Sequence, residues 1–180
     1  MKENKILGEK RRQLILEWLQ TESAPLTGGE LAARTNVSRQ VIVQDISLLK
    51  ARGEPILATS QGYVYMSDIE KKKNQVERLI ACQHDPQKTR EELYLIVDYG
   101  VTVKDVIIEH PVYGDLTASI MVNNRKEVDE FIDKIEKANA SYLSELTDGV
   151  HLHTIMANSE QALDEVCLAL KKAGFLMNEE

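Results

Sequence analysis

The chain has 180 residues, 43% of them hydrophobic and 28% charged, and its net charge is −7. This length allows one large domain or two small ones, and the composition excludes a mainly disordered chain. No apolar run approaches the ~20 residues of a membrane span, and the charged residues 1–13 do not resemble a secretory signal, so we expect no membrane segment.

The two cysteines, Cys82 and Cys167, are 85 positions apart and form no Cys-x-x-Cys motif. We therefore expect neither a disulfide framework nor a cysteine-based zinc site. This cysteine usage is typical of proteins in a reducing compartment, so the predicted location is cytoplasmic.

Acidic and basic residues are unevenly distributed along the chain. Residues 1–66 contain nine Lys/Arg and seven Asp/Glu, a balance of +2, whereas residues 67–180 contain thirteen and twenty-two, a balance of −9. A run of mixed charge over 68–75 predicts an exposed linker. We therefore expect two domains, 1–68 and 69–180, and only the first has the basic balance that is usual for nucleic-acid binding.

The first domain begins with two predicted helices. Apolar residues at helical spacing predict a helix over residues 9–20. Thr27 is followed three residues later by Glu30, the pattern of a capping box, so a second helix should begin at residue 28 and end near Thr35.

A third helix and a hairpin follow. Ser38 is a predicted N-cap, and the helix should run over residues 39–51 and end at Gly53. Strand-forming residues then flank a glycine-containing turn within residues 55–66, which predicts a β-hairpin. Two short helices, a tight turn, a third helix and a hairpin together predict a winged helix-turn-helix.

The third helix divides into two faces at 100° per residue. The face predicted to be buried contains Val41, Ile42, Ile46, Leu48 and Leu49. Asp45 falls within the same arc and is expected to be structural. The polar face offers side chains that pair with base edges, because Arg can bind guanine and Gln can bind adenine in the major groove. The predicted DNA contacts are Ser38, Arg39, Gln40 and Gln44, although a polar face is also what any solvated helix presents.

The second domain shows a different pattern of elements. In chain order we predict a strand over 76–82, a helix capped by Asp85 with Pro86 at its first position, strands over 101–109 and 116–122, a helix starting at Asn124, a strand over 150–157 and a helix capped by Ser159. This order predicts a ferredoxin-like sheet with strands in the spatial order 4-1-3-2. The fold class is therefore α+β, and dimerisation would be one way to cover the free face of the sheet.

Histidines are concentrated in the second domain. His151 and His153 alternate along one strand and project from the same face. Strand 4 of the predicted sheet lies antiparallel beside strand 1, which brings His84 close to His151. Glu92, or its neighbour Glu91, would add a carboxylate. Three imidazoles and one carboxylate suit a divalent cation such as Zn, Ni, Co or Fe, whereas the alternative is a polar pair at a strand edge.

Two stretches of the sequence resemble known families. Residues 36–53, with Ile56 and Gly62-Tyr63 behind them, resemble the DNA-binding domain of biotin-ligase-type repressors. Three further motifs are His84 with Glu92-Leu93, the run His110-Pro111-Val112-Tyr113-Gly114, and the run His151-Leu152-His153-Thr154-Ile155. Together with the winged helix they resemble the NiaR-type nicotinate-responsive repressors over residues 8–175.

The NiaR resemblance implies a specific function. It implies a repressor, and not an enzyme, that acts on genes of NAD biosynthesis and nicotinate uptake, with nicotinic acid as co-repressor. A homodimer would bind palindromic double-stranded operator DNA, and one divalent transition metal per subunit would be held by His84, Glu92, His151 and His153.

The effector contacts and two other functions stay open at this point. The effector would be held by Arg90 or by the loop that contains His110 and Tyr113. One alternative is a metal-responsive regulator with no organic effector. Another is a metal-dependent hydrolase with Glu91 as general base.

Overall fold

The computed structural model describes residues 6–66 and 75–177. The chain divides into two compact units, one within residues 1–71 and one within 72–180. The predicted domain boundary between residues 68 and 69 lies outside the described residues, as does nearly all of the predicted linker.

The N-terminal unit contains three helices and one hairpin, as the sequence predicts. Its elements are α1 (Gly8–Thr21), α2 (Gly28–Thr35), α3 (Arg39–Ala51), β1 (Ile56–Thr59) and β2 (Gly62–Tyr65). Thr27 and Glu30 form the predicted capping box, and the Ser38 side chain accepts a hydrogen bond from the Val41 N–H. Asn36 turns the chain between α2 and α3 in the left-handed conformation, with φ of 52°.

The hairpin pairs with the segment between α1 and α2, and a glycine permits this close approach. Leu26 and Tyr63 pair through backbone hydrogen bonds in both directions, at 3.0 and 2.8 Å. Gly62 precedes this pair with φ of +137°, and a Cβ there would lie 2.7 Å from the Leu26 carbonyl. Only glycine fits this close approach without a backbone shift.

The buried face of α3 differs from the prediction at two residues. Ile42, Asp45, Ile46 and Leu49 are buried, and Val41 is only half-buried. Leu48 is 47% exposed, so its predicted core position is wrong. At 100° per residue the buried arc runs from Ile46 to Asp45. Asp45 forms one edge of this arc and contacts Arg11 at 2.5 Å and Arg12 at 3.1 Å on α1. Leu48 is ~100° around the helix from Leu49 and falls outside that contact.

The C-terminal unit has the predicted β-α-β-β-α-β-α order. Its elements are β3 (Val76–Gln83), α4 (Thr89–Asp98), β4 (Thr102–His110), β5 (Gly114–Val122), α5 (Arg125–Ala138), β6 (Val150–Ala157) and α6 (Glu160–Ala173), with 3₁₀ turns at Pro86–Lys88 and Leu143–Thr147. Pro86 takes the first helical position, but the Asp85 side chain forms no capping hydrogen bond. Pairing of β4 with β5 extends to His110 and Gly114, so the loop between them has only three residues.

The spatial order of the strands corrects the ferredoxin-like prediction. The observed order is β3-β6-β4-β5, which is 1-4-2-3 rather than 4-1-3-2. Strand β6 is buried on most of its length, as is typical of a central strand, whereas β3 carries Glu77, Arg78 and Gln83, as is typical of an edge. The predicted antiparallel pairing of the first and last strands is nevertheless confirmed.

The helices of this unit cover one face of the sheet. Helix α4 lies between α5 and α6 and packs over β4, while α5 and α6 pack over β5 and β6. The core includes Ile96, Val103, Ile155, Leu163 and Val166, all less than 1% exposed. Among the described residues, no helix is long and apolar enough to span a membrane.

Candidate metal centre and DNA-recognition helix

Three imidazoles converge on one buried carboxylate in the C-terminal unit. The Nε2 of His84 lies 2.8 Å from Oε2 of Glu92. The Nε2 atoms of His151 and His153 each lie 3.4 Å from a Glu92 carboxylate oxygen. The side chains of all four residues are at most 3% exposed. We refer to these four residues as the His–Glu cluster.

The backbone fixes the orientation of each imidazole. The Nδ1 atoms of His84, His151 and His153 lie 2.7 to 2.8 Å from the backbone carbonyls of Asp85, Gly149 and Asp105. A carbonyl oxygen only accepts hydrogen bonds, so each Nδ1 must carry the proton. Each Nε2 that faces the carboxylate therefore either donates a hydrogen bond to it, as in a protonated ring, or offers a lone pair that can bind a cation.

Strand register and helix phase bring the cluster together. Across the β3–β6 pair, Cys82 faces His151 and Ile80 faces His153, and His84 follows directly after β3. Glu92 is in the first turn of α4 and points into the core, whereas Glu91 beside it is exposed. The structure thus brings Glu92, rather than Glu91, to the predicted site.

Burial and charge act in opposite directions within the cluster. Burial opposes ionisation of Glu92, but the surrounding imidazoles outweigh it and lower the Glu92 pKa well below 4.5. Burial likewise opposes protonation of His84 and His153, yet Glu92 outweighs it and raises the pKa of both above 6.5. The Oε1 atom of Glu92 is buried and accepts no hydrogen bond from the described residues, which leaves it available to a cation.

Gly149 has a close contact that only glycine permits. Its φ is +86°, and a Cβ there would lie 2.3 Å from the His84 carbonyl oxygen. Its own carbonyl accepts the Nδ1–H of His151. Gly149 therefore lies at the junction of the two strand ends that carry histidines of the cluster.

Several contributors to the site are absent from the sequence-based set. Asp85, Asp105 and Gly149 act through backbone carbonyls, which every residue type possesses, so side-chain identity gives no signal for them. Cys82 gives only a weak signal, its position two residues before His84. Its thiol is fully buried, and burial together with the Glu92 charge raises its pKa.

The predicted effector residues have separate partners in the structure. Arg90 forms an ion pair with Asp129, whose carboxylate also accepts a hydrogen bond from the Tyr94 hydroxyl. His110 accepts hydrogen bonds from the backbone N–H groups of Val112 and Tyr113, and its ring lies 5.0 Å from that of Tyr113. The His110 side chain thus holds the exposed tip of the β4–β5 hairpin.

Helix α3 presents the four predicted DNA contacts to solvent. Ser38, Arg39, Gln40 and Gln44 are all exposed. The Arg39 side chain packs over Gly28, where its Nε would lie 3.3 Å from a Cβ added at that glycine. The first turn of α3 therefore displays hydrogen-bonding side chains from a helix that is anchored on its other face.

Comparisons with known proteins agree with this two-part architecture. The HTH domain family matches residues 11–64 and the 3H domain family matches residues 77–179. The chain is 62% identical over 177 residues to the transcription repressor NadR of Bacillus subtilis, with 98% of each chain covered. It is 41% identical over 175 residues to the probable transcription repressor NiaR of Thermotoga maritima, with 97% of this chain and 98% of the relative covered.

These relatives are named as repressors, which indicates a regulator rather than an enzyme. The matched helix-turn-helix domain implies that the chain binds DNA. Because the similarity extends over nearly the whole of both relatives, the chain belongs to the NadR/NiaR family of transcription repressors.

Proposed function

We propose that the chain is a metal-containing repressor of genes for NAD biosynthesis and nicotinate uptake, with nicotinic acid as co-repressor. The observation that carries the metal is the convergence of three Nε2 atoms on one carboxylate, with every Nδ1 fixed by a carbonyl. Metal-binding histidines are oriented in this way because the second ring nitrogen is hydrogen-bonded.

In this proposal the metal is one divalent transition ion per subunit, held by the His–Glu cluster. Imidazole and carboxylate donors suit Zn, Ni, Co or Fe. When bound, the ion would supply positive charge that balances the buried Glu92 carboxylate. It would also join the ends of β3 and β6 to α4, because its ligands come from all three regions.

The DNA interface in this proposal is the exposed face of α3. Arg39 would bind guanine and Gln40 or Gln44 adenine in the major groove, and Ser38 would contact the backbone at the helix N-terminus. Replacing Arg39 by Ala should cost ~1–3 kcal/mol of operator binding and relax sequence preference at one position. Lys50→Ala, at the far end of the same helix, is the matched control and should weaken binding equally for all sequences.

A homodimer would place two such helices on a palindromic operator. Half-sites would then be centred about one helical turn apart, ~34–36 Å, or a multiple of it. The sheet face opposite the helices supports self-association, because it carries Leu79, which is 56% exposed, and the paired residues Ile107 and Leu152. Sedimentation of the chain with and without metal and nicotinate tests this part of the proposal.

Nicotinate is a small anion with a pyridine nitrogen and a carboxylate. Either group is chemically able to complete the coordination of the metal, and Arg90, His110 and Tyr113 are the proposed contacts for the other end. A co-repressor must bind the DNA-competent arrangement more tightly than the inactive one. Coupling of ~1–3 kcal/mol would raise operator affinity roughly 5–150-fold.

One observation favours the alternative of a regulator that senses the metal alone. The four side chains of the cluster are almost completely buried, so an organic ligand would have to open the site to contact the ion. In this case the metal would itself be the signal.

Selection of bound duplexes from random DNA, followed by gel shifts with the selected operator, separates the two functions. We would compare metal-free protein, metal-loaded protein, and metal-loaded protein with nicotinate. A further gain on adding nicotinate supports the proposed co-repressor. Full affinity with metal alone, unchanged by nicotinate, supports the alternative, and His151→Ala should remove the response in either case.

A further inference from the structure

Cys82 lies against the His–Glu cluster but belongs to none of the predicted ligand sets. It is on β3, two residues before His84, and it faces His151 across the strand pair. Its Sγ, a carboxylate oxygen of Glu92 and a ring nitrogen of His151 all lie within 4.8 Å of one another. All three residues are buried, so solvent does not compete for these atoms.

These separations are close to those of donor atoms that share one ion. At bond lengths of ~2.0–2.1 Å to nitrogen and ~2.3 Å to sulfur, two donors of one tetrahedral ion are ~3.6 Å apart. A shift of at most roughly 1.2 Å therefore brings the sulfur into bonding distance. Oε1 of Glu92 is a second, independent indication, because it is buried without a hydrogen-bond donor among the described residues.

We propose that Cys82 is an additional, sulfur ligand of the divalent metal bound by the His–Glu cluster. This inference rests on the proposed metal site and extends it, since the sequence predicted no cysteine at a metal centre. The Cys82 thiol releases its proton to solvent as the metal–sulfur bond forms. A thiolate is a softer donor than imidazole or carboxylate, so it shifts the preference of the site away from Mn or Mg and toward Zn or Co.

Cobalt(II) is the probe for this ligand, because thiolate bound to Co(II) gives an intense near-ultraviolet charge-transfer band. Nitrogen and oxygen ligands give only the weaker visible bands. The wild-type chain should show both. Cys82→Ser should bind Co(II) with the visible bands alone and with affinity lower by on the order of tenfold or more, an effect reached even by groups that only support metal ligands.

Cys167→Ser is the matched control. Cys167 is the only other cysteine of the chain, and it lies on α6 beside Arg78, where their Nη1–Sγ distance is 3.7 Å. This variant should keep the charge-transfer band and the Co(II) affinity of the wild type. Retention of the band in Cys82→Ser, or its loss in Cys167→Ser, would overturn the proposal.

A second measurement needs no variant and so remains decisive if Cys82→Ser fails to fold. X-ray absorption of the zinc-loaded wild type should show one sulfur at ~2.3 Å among nitrogen and oxygen atoms at ~2.0–2.2 Å. A shell of nitrogen and oxygen alone overturns the role of Cys82 and leaves the proposed His–Glu site intact. If the chain binds neither zinc nor cobalt, the proposed metal function fails as well.

Discussion

Replacement of Gly149 by alanine tests whether the junction of β3 and β6 sets the geometry of the proposed metal site. An alanine Cβ would lie 2.3 Å from the His84 carbonyl oxygen, whereas carbon and oxygen atoms in favourable contact are ~3.5 Å apart. The two strand ends must therefore separate by roughly 1 Å. Metal–ligand distances tolerate only about 0.2 Å, so His84 should leave the shared ligand sphere.

Two energies contribute to the expected effect of Gly149→Ala. A non-glycine residue at positive φ costs ~1–2 kcal/mol of folding free energy. The displacement of His84 should in addition weaken metal binding by about 10–100-fold, which corresponds to about 1.4–2.7 kcal/mol. Gly100→Ala is the control, because Gly100 has φ of +70° and nothing within 4 Å of an added Cβ. It should carry the first cost and not the second.

Two measurements separate these contributions. Denaturant unfolding of the metal-free variants, followed by circular dichroism, gives the folding cost. Trp18 is the only tryptophan and lies in the N-terminal unit, so its fluorescence should show an unchanged transition in both variants. Competition with a chelating dye gives the metal affinity. If Gly149→Ala and Gly100→Ala bind metal within twofold of each other, the contact with His84 does not hold the site and the reasoning is wrong.

Three further predictions concern the β1–β2 hairpin, the ion pair between Asp45 and Arg11, and the pH dependence of stability. Gly62→Ala places a Cβ 2.7 Å from the Leu26 carbonyl and should destabilise the N-terminal unit by ~2 kcal/mol or more. The control Gly53→Ala, whose added Cβ has no atom within 4 Å, should cost only ~1 kcal/mol. Equal losses of stability in tryptophan-monitored unfolding would contradict this prediction. Asp45→Asn leaves the buried Arg11 guanidinium without its anion and should cost ~3–5 kcal/mol by the same assay, so a loss below ~1 kcal/mol would refute the structural role of this pair. In the metal-free C-terminal unit, the lowered pKa of Glu92 adds stability that is lost as pH falls below 4.5. The raised pKa values of His84 and His153 add stability that is lost as pH rises above 6.5. Thermal unfolding should therefore show the largest stabilisation by the cluster between about pH 4.5 and 6.5. Added zinc should raise the stability more at higher pH, because zinc binds neutral imidazole. A stabilisation by zinc that shrinks with rising pH would count against the proposed site.

The chain combines a DNA-recognition helix and the His–Glu cluster within 180 residues. The +2 balance of residues 1–66 predicts only a few phosphate contacts per subunit, so tight binding should require two subunits. The −9 balance of residues 67–180 suits a domain that binds a cation rather than nucleic acid.

Local features of the sequence determined most of the elements. The caps at Thr27 and Ser38 and the whole of β6 lie where the sequence places them. Such features depend on a few neighbouring residues, because a cap or a turn satisfies backbone groups within one helical turn. The projection of two histidines from one side of a strand is likewise local, since side chains alternate along a strand.

Tertiary structure decided what depends on distant partners. The order β3-β6-β4-β5 depends on which strand has hydrogen-bonded neighbours on both edges, and the ferredoxin-like order keeps the same two antiparallel outer pairs. The partners of Asp45 lie 33 and 34 residues away on α1. The carbonyls that orient the imidazoles, and the position of Cys82 beside them, follow from strand register and not from residue type. The sequence by itself thus indicated the three histidines and an adjacent pair of glutamates. Their mutual distances and the choice of Glu92 were decided by packing, because contacts between remote segments form only when the sheet is assembled.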